Sequence, residues 1–220
     1  MHEDPNPAAY RRNMNELIAR ASDIAARPGR SILGITGAPG AGKSTLAELL
    51  VRELGSDRAV LVPMDGFHLA NRELARLRRR ARKGAPDTFD ASGYAHLLDR
   101  IRRRDSDTVY APQFDRTLDE PIAASIAVPP DIPLVITEGN YLLLDDGAWP
   151  QARTAMDEVW YIDIDDDVRR ERLVKRHSLF GKTDVEARAW AHGSDEDNAV
   201  LIASTAHRAD LAITAPSQWI

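Results

Sequence analysis

The sequence predicts an α/β protein built on a doubly wound, mostly parallel five-stranded sheet. Three observations carry that expectation. Short continuous apolar runs, of the kind a strand buried on both faces needs, recur along the chain. Segments of helical periodicity separate most of them. Most of the runs end in glycine or in acidic residues, which sets polar groups at the carboxyl ends of the strands, where open α/β sheets bind their ligands.

Taken in order, Tyr10, Met14, Leu17, Ile18, Ala21, Ile24 and Ala25 repeat at intervals of three and four, an amphipathic helix closed by Pro28-Gly29. Residues 1–29 therefore read as a helical arm. Ser31-Ile32-Leu33-Gly34-Ile35-Thr36 is the first strand, with a glycine-rich turn and then a helix over 45–54. Residues 59–64 form a second strand that runs into Asp65-Gly66-Phe67-His68, and residues 134–139, 158–164 and 210–214 supply the other three. Helices are expected over 94–103, 168–177 and 194–206. Between Arg72 and Pro130 the alternation loosens, and residues 108–112 and 122–128 read as edge strands because prolines bracket them. The organisation expected is one domain over 1–220, with an acceptor-binding insertion at 66–130 and an arginine-rich lid at 166–192.

Composition narrows the function classes. A chain of 220 residues and 24.4 kDa, 43% hydrophobic and 29% charged, is an ordinary globular one. At this size folding buries roughly 70% of the unfolded surface, so no covalent staples are needed. The absence of cysteine excludes disulfides, Cys-ligated zinc, iron–sulfur clusters and thiol nucleophiles. It also fits a reducing cytoplasm. A net charge of −5 argues against nucleic acid as a partner. No run approaches the roughly 20 apolar residues that span a bilayer, and MHEDPNPAAYRRN has no apolar signal core, so no membrane association is expected.

The chemistry begins at Gly37-Ala38-Pro39-Gly40-Ala41-Gly42-Lys43-Ser44, which fits GxxxxGK[ST] between a strand and a helix. Glycines let main-chain N–H groups converge on a phosphate chain, and the helix that follows turns its partly positive end to the same anion. Lys43 would bridge the terminal phosphates of ATP or GTP, and the Ser44 hydroxyl would ligate Mg²⁺. Asp65 follows the second strand, at the rim that holds this loop, where a carboxylate can take the proton of an attacking hydroxyl. His68 is a candidate substrate contact, with local packing as its alternative. Glu138 closes the third apolar run, where a carboxylate is needed near Mg²⁺. Arg116 could clamp an anionic substrate or pair on the surface with Asp115 or Asp119. Arg169, Arg172 and Arg176 share a helix face, suited to a lid that stabilises growing phosphoryl charge or to simple surface pairing. Gly181-Lys182-Thr183 reads as a flexible joint at the lid tip. Arg76 to Lys83 holds six cations in eight positions, either a solvated helix face or an anion-attracting rim.

GAPGAGKST at 37–45, MDGFH at 64–68, the YAPQFDR and ITEGNYLLL segments, the arginine-rich lid and RADLAI at 208–213 together resemble the uridine kinase, pantothenate kinase and phosphoribulokinase group of P-loop kinases. In PMDGFHLANREL, KGAPDTFD, EGNYLLLDDGAW and ERLVKRH the chain is most similar to bacterial nucleoside/nucleotide kinase-like and fructose-transport-system kinase-like proteins. The resemblance implies a P-loop NTP hydrolase fold and transfer of the ATP γ-phosphoryl group to a hydroxyl of a small metabolite that is nucleoside-, pantothenate- or sugar-like. It implies nucleotide contacts from Gly37, Ala38, Pro39, Gly40, Ala41, Gly42, Lys43, Ser44 and Thr45, and catalytic roles for Lys43, Asp65, Arg172 and Arg176. Asp65, His68, Arg116 and Tyr141 would contact the acceptor, and Ser44 and Glu138 the metal. A homodimer is compatible with the group. Around Tyr110 to Arg116 the chain departs from the uridine kinase pattern. The competing expectation is a nucleotide-dependent switch or assembly protein, which would activate water and not an organic hydroxyl.

Overall fold

Ser31–Gly37 (β1) is buried along its whole length and lies at the centre of the sheet. The structure is a computed structural model and describes residues 7–104, 107–179 and 183–215. Around β1 stand Ala59–Leu61 (β2), Leu134–Glu138 (β5), Glu158–Asp163 (β6) and Leu211–Thr214 (β7), in the order β2-β5-β1-β6-β7 with every pairing parallel. The strands read as unbroken apolar runs because helices cover both faces. Leu33, Ile35, Leu134, Ile136, Trp160 and Ile162 pack on one side with Pro7–Ala25 (α1) and Lys43–Leu54 (α2). Ile32, Val135, Val159 and Tyr161 pack on the other with Ala91–Arg103 (α4) and Trp149–Thr154 (α5). The expected five-stranded parallel core is therefore the one observed.

The helical arm binds the sheet through both packing and charge. Leu17, Ala21 and Ile24 are buried, and Arg20 and Arg27 donate to Glu158 at 2.8 and 2.7 Å. The Trp160 indole N–H, fully buried, donates to the same carboxylate at 2.9 Å. The side chain of Tyr10, part of the expected stripe, lies outside the described residues.

Several expectations are corrected. The second strand stops at Leu61, because Pro63 has no N–H to give the ladder, and Met64–Phe67 forms a 3-10 turn. Asp65 thus sits in that turn and not on a strand. The two expected edge strands, Val109–Asp115 (β3) and Glu120–Val128 (β4), do not join the main sheet; they pair with each other as an antiparallel ribbon. The ribbon crosses the 3-10 turn so closely that a Cβ on Gly66 would collide with the Pro112 carbonyl oxygen. The cation run is not one helix: Asn71–Arg76 (α3) ends at its start, and Arg80–Arg82 is a 3-10 turn. Past β6 come Asp166–Leu179 (α6), Asp184–His192 (α7) and Ser194–Ala203 (α8). Helix α8 ends earlier than expected, and Ala206–Arg208 is a separate 3-10 turn. Helix α7 has no counterpart in the sequence reading. Of the expected joint, Gly181 and Lys182 lie outside the described residues, while Thr183 caps α7 through a reciprocal pair with Glu186.

Candidate active site

The carboxyl ends of β1 and β5 are held in register, with Ile35 beside Glu138 and the Gly139 N–H donating to the Ile35 carbonyl at 3.1 Å. That register brings the turn after β1 and the end of β5 to one rim. Two of the turn's glycines have backbone angles that side chains rarely adopt: Gly40 at φ +84° and Gly42 at φ +95°. A Cβ on Gly40 would come within 3.0 Å of the Arg169 carbonyl and of Leu173, so α6 packs directly on the loop. Gly42 caps α2 without a side-chain acceptor, which leaves first-turn N–H groups for an anion.

Next to this loop lies a cavity of about 580 Å³. Pro39, Lys43 and Ser44 line it from the loop and α2, Glu138, Gly139 and Asn140 from the end of β5, and Asp65 and His68 from the 3-10 turn. Lys43 is buried, and its ammonium donates to the Gly37 and Ala38 carbonyls at 2.9 and 3.1 Å. Burial lowers its pKa to about 8, against the attraction of Glu138 and Asp65. The Ser44 hydroxyl donates to Glu138 Oε1 at 3.0 Å. Burial, with the charge of Asp65 adding to it, raises the Glu138 carboxyl to about 7. Asp65 therefore lies within electrostatic reach of both Lys43 and Glu138.

The remaining walls come from residues between β2 and β5 and from the helices after β6. His68 rests its ring on Phe89 and Phe114, with centroids 4.0 and 4.7 Å away. Its Nδ1 lies 2.8 Å from the Asp65 carbonyl, which can only accept, so Nδ1 carries the proton. Burial pushes the His68 pKa down and favours the neutral ring. Arg116 reaches the cavity from the ribbon, and Arg176 reaches it from α6.

The structure thus gathers Lys43, Ser44, Asp65, His68, Arg116, Glu138 and Arg176 around one space. It does not bring Tyr141 or Arg172 to that lining. Tyr141 is buried, and its hydroxyl donates to the Gly84 carbonyl, so it braces the cavity wall from behind. Arg172 Nη1 is buried in α6. Arg169 does not line the cavity either: its side chain is buried and donates to Asp166 at 2.9 Å and Glu196 at 2.6 Å, joining α6 to α8. Sequence reasoning missed Asn140, Trp190, Asp195 and Asn198 as lining residues. Arg80 and Lys83 also line the cavity; they belong to the basic run, whose composition was the one signal for them.

Comparison with known proteins follows the same lines. Residues 32–217 match the Phosphoribulokinase / Uridine kinase family. Protein C227.14 of Schizosaccharomyces pombe, provisionally named a uridine kinase, is 35% identical over 193 residues, covering 84% of this chain and 80% of its own. The uncharacterized Escherichia coli protein YggC is 34% identical over 188 residues, covering 84% and 77%. Among solved structures, a Silicibacter sp. TM1040 protein provisionally named a fructose transport system kinase superposes with a TM-score of 0.82 at 36% identity, covering 91% of this chain and 98% of its own. The fold of this chain is shared with that protein over nearly its whole length.

Proposed function

The chain belongs to the Phosphoribulokinase / Uridine kinase family, and on that premise we propose that it transfers the γ-phosphoryl group of ATP to a hydroxyl of a small metabolite. The observation that carries the reading is the juxtaposition of Lys43 and Asp65 on one cavity, each within the other's electrostatic reach. In-line transfer requires a cation at the terminal phosphates and a carboxylate at the incoming hydroxyl.

The chain's own groups divide the work as follows. Main-chain N–H groups of residues 40–42 and the first turn of α2 hold the phosphates, and the Lys43 ammonium exchanges its loop carbonyls for phosphate oxygens. Asp65 orients the acceptor hydroxyl and takes its proton as the oxygen bonds to the γ-phosphorus and the bond to the ADP oxygen breaks. Arg176 and Arg116 line the same cavity, where they stabilise the charge of the phosphoryl group in transit. Ser44 and Glu138 present two oxygen donors 3.0 Å apart, a set that suits Mg²⁺, and they are the residues that would hold it. Bound there, Mg²⁺ supplies charge neutralisation of the phosphates.

A coupled ADP-release screen over nucleosides, pantothenate, D-glycerate and free sugars tests the proposal. An acceptor that raises turnover well above the rate with water alone supports it. ATP hydrolysis indifferent to every acceptor and stimulated by a protein partner would replace it with the switch reading.

A further inference from the structure

Resting on the reading of the main cavity as a phosphoryl-transfer site, we infer that Glu196, which does not line that cavity, is a positioning residue for the transfer: it fastens the first turn of α8 to α6 and so keeps Asp195 and Asn198 in place on the lining that Arg176 shares. The composition of that turn shows why a fastening is needed. Ser194-Asp195-Glu196-Asp197-Asn198 holds no apolar side chain, and the first that α8 buries is Ala199. Ala199 and Ile202 seat the later turns in the protein interior, while the start of the helix has nothing hydrophobic to rest on. Nor is the space beneath it filled. A second cavity, of about 230 Å³, lies between the two helices beside Ala38, bordered by Arg169 from α6 and by Glu196, Ala199 and Ala203 from α8.

Glu196 crosses that space with three charge-assisted hydrogen bonds. Its Oε2 accepts from Arg169 Nη2 at 2.6 Å and from Arg170 Nε at 3.2 Å, and its Oε1 accepts from Arg170 Nη2 at 2.9 Å. Both arginines are held from their own helix as well, Arg169 by Asp166 at 2.9 Å and Arg170 by Asp167 at 3.1 Å and Asp166 at 3.7 Å. The Arg169 side chain is 1% exposed, and its Nη1 is buried without an acceptor, so the guanidinium relies on Asp166 and Glu196 for its pairing. The bonds from Arg170 and then Arg169 hold the Glu196 carboxyl down at about 2, which keeps it ionised near neutral pH.

The clamp grips α6 where that helix meets the phosphate loop, since the Arg169 carbonyl is the atom that a Cβ on Gly40 would approach to 3.0 Å. Arg176 follows two turns later on the same helix. On α8, Asp195 precedes Glu196 directly, within electrostatic reach of Arg176 and Lys43, and the Asn198 amide reaches the Gly84 carbonyl at 3.5 Å. Release of Glu196 would therefore free one wall of the cavity and leave the glycine turn that binds phosphates as it is.

The test has a structural arm and a kinetic arm, both on the full chain. The chain has no cysteine, so spin labels at Asp197→Cys on α8 and Lys175→Cys on α6, both exposed and off the cavity lining, report the distance between the helices in protein saturated with AMP-PNP·Mg²⁺. One narrow distance distribution is expected, broadened by Glu196→Ala and by Arg170→Gln. The second variant removes two of the three bonds and strands no buried charge, so it decides the matter if Glu196→Ala does not fold. With an acceptor found by the ADP-release screen, Glu196→Ala should lower kcat by about tenfold or more while AMP-PNP affinity stays within about threefold, and Glu196→Gln, which keeps an acceptor oxygen, should recover part of the rate. In an Arg176→Ala background the further loss from Glu196→Ala should shrink to less than about threefold, a coupling that general destabilisation would not produce. Unchanged distances, unchanged kcat, or the same loss with and without Arg176 would overturn the inference. Transfer to no acceptor at all would strike at the kinase reading instead, and the label distances would still decide whether Glu196 holds the helices together.

Discussion

The hydroxyl of Ser44 donates to Glu138 Oε1 at 3.0 Å, joining the first turn of α2 to the end of β5 across 94 residues of sequence. Glu138 is buried, and its carboxyl is raised to about 7. Its folded pKa thus lies above that of the unfolded chain, so the protonated form favours folding below about pH 4.5, and that contribution fades as pH rises through about 7. Stability of the nucleotide-free protein should therefore fall over that window relative to Glu138→Gln, measured by urea denaturation at several pH values. Affinity for the Mg²⁺ complex of the nucleotide should move the opposite way, rising through about pH 7 in the wild type and staying flat in Glu138→Gln.

Lys43→Ala should lower turnover by about 10²–10³ or more through loss of the charge set against the phosphates. Near-normal steady-state rates would remove the loop from the reaction.

Arg176 lines the cavity and Arg172 does not. Arg176→Ala should depress kcat more than it raises the acceptor KM, because the phosphoryl charge it faces grows in the transition state. Arg172→Ala, if α6 keeps the disposition seen here, should affect kcat less. Equal losses of kcat would mean that α6 moves during the cycle and brings Arg172 in.

Gly66→Ala places a methyl group against the Pro112 carbonyl, where the ribbon meets the turn that carries Asp65. The substitution should cost about 1–3 kcal/mol in urea denaturation and impair transfer more than nucleotide binding, since the nucleotide loop is elsewhere. Unchanged stability would show that the ribbon can lift away.

Glu158→Ala leaves the buried Trp160 indole N–H without its acceptor and should destabilise the fold by about 1–3 kcal/mol. Arg20 and Arg27 are 43% and 44% exposed, so their ion pairs with Glu158 add little. Against the opposing effect of burial, the indole hydrogen bond first and those from Arg27 and Arg20 after it hold the folded carboxyl below its ordinary range, so the contribution is present above about pH 4.5 and is lost as pH falls through the lower folded value.

The parallel core could be read from the sequence because burial on both faces forces continuous apolar strands, as in Leu134 to Ile136, and because the glycine spacing at 37–42 serves one backbone geometry. What could not be read were relationships set by tertiary contact. Nothing local tells a ribbon that stands apart from strands added to a sheet edge, so β3 and β4 were expected at the edge. A three- and four-residue spacing puts Arg169, Arg172 and Arg176 on one helix face, but only the packing of α8 turns Arg169 inward to Glu196. Lys83 and Arg80 look like their solvated neighbours in the basic run; the turn at Asp119, 36 residues beyond Lys83, selects them for the cavity. Asn198 lines the cavity because α8 returns to it after α6 and α7, a contact with no periodic signature.

Phosphoryl transfer by Asp65→Asn, measured beside its nucleotide affinity, bears most directly on the role assigned to this cavity. With an acceptor that the wild type phosphorylates, the variant should lose about 10²–10⁴ in turnover while binding ATP within about threefold of the wild type. Parallel loss of turnover and of ATP affinity, or transfer at the wild-type rate, would contradict that role.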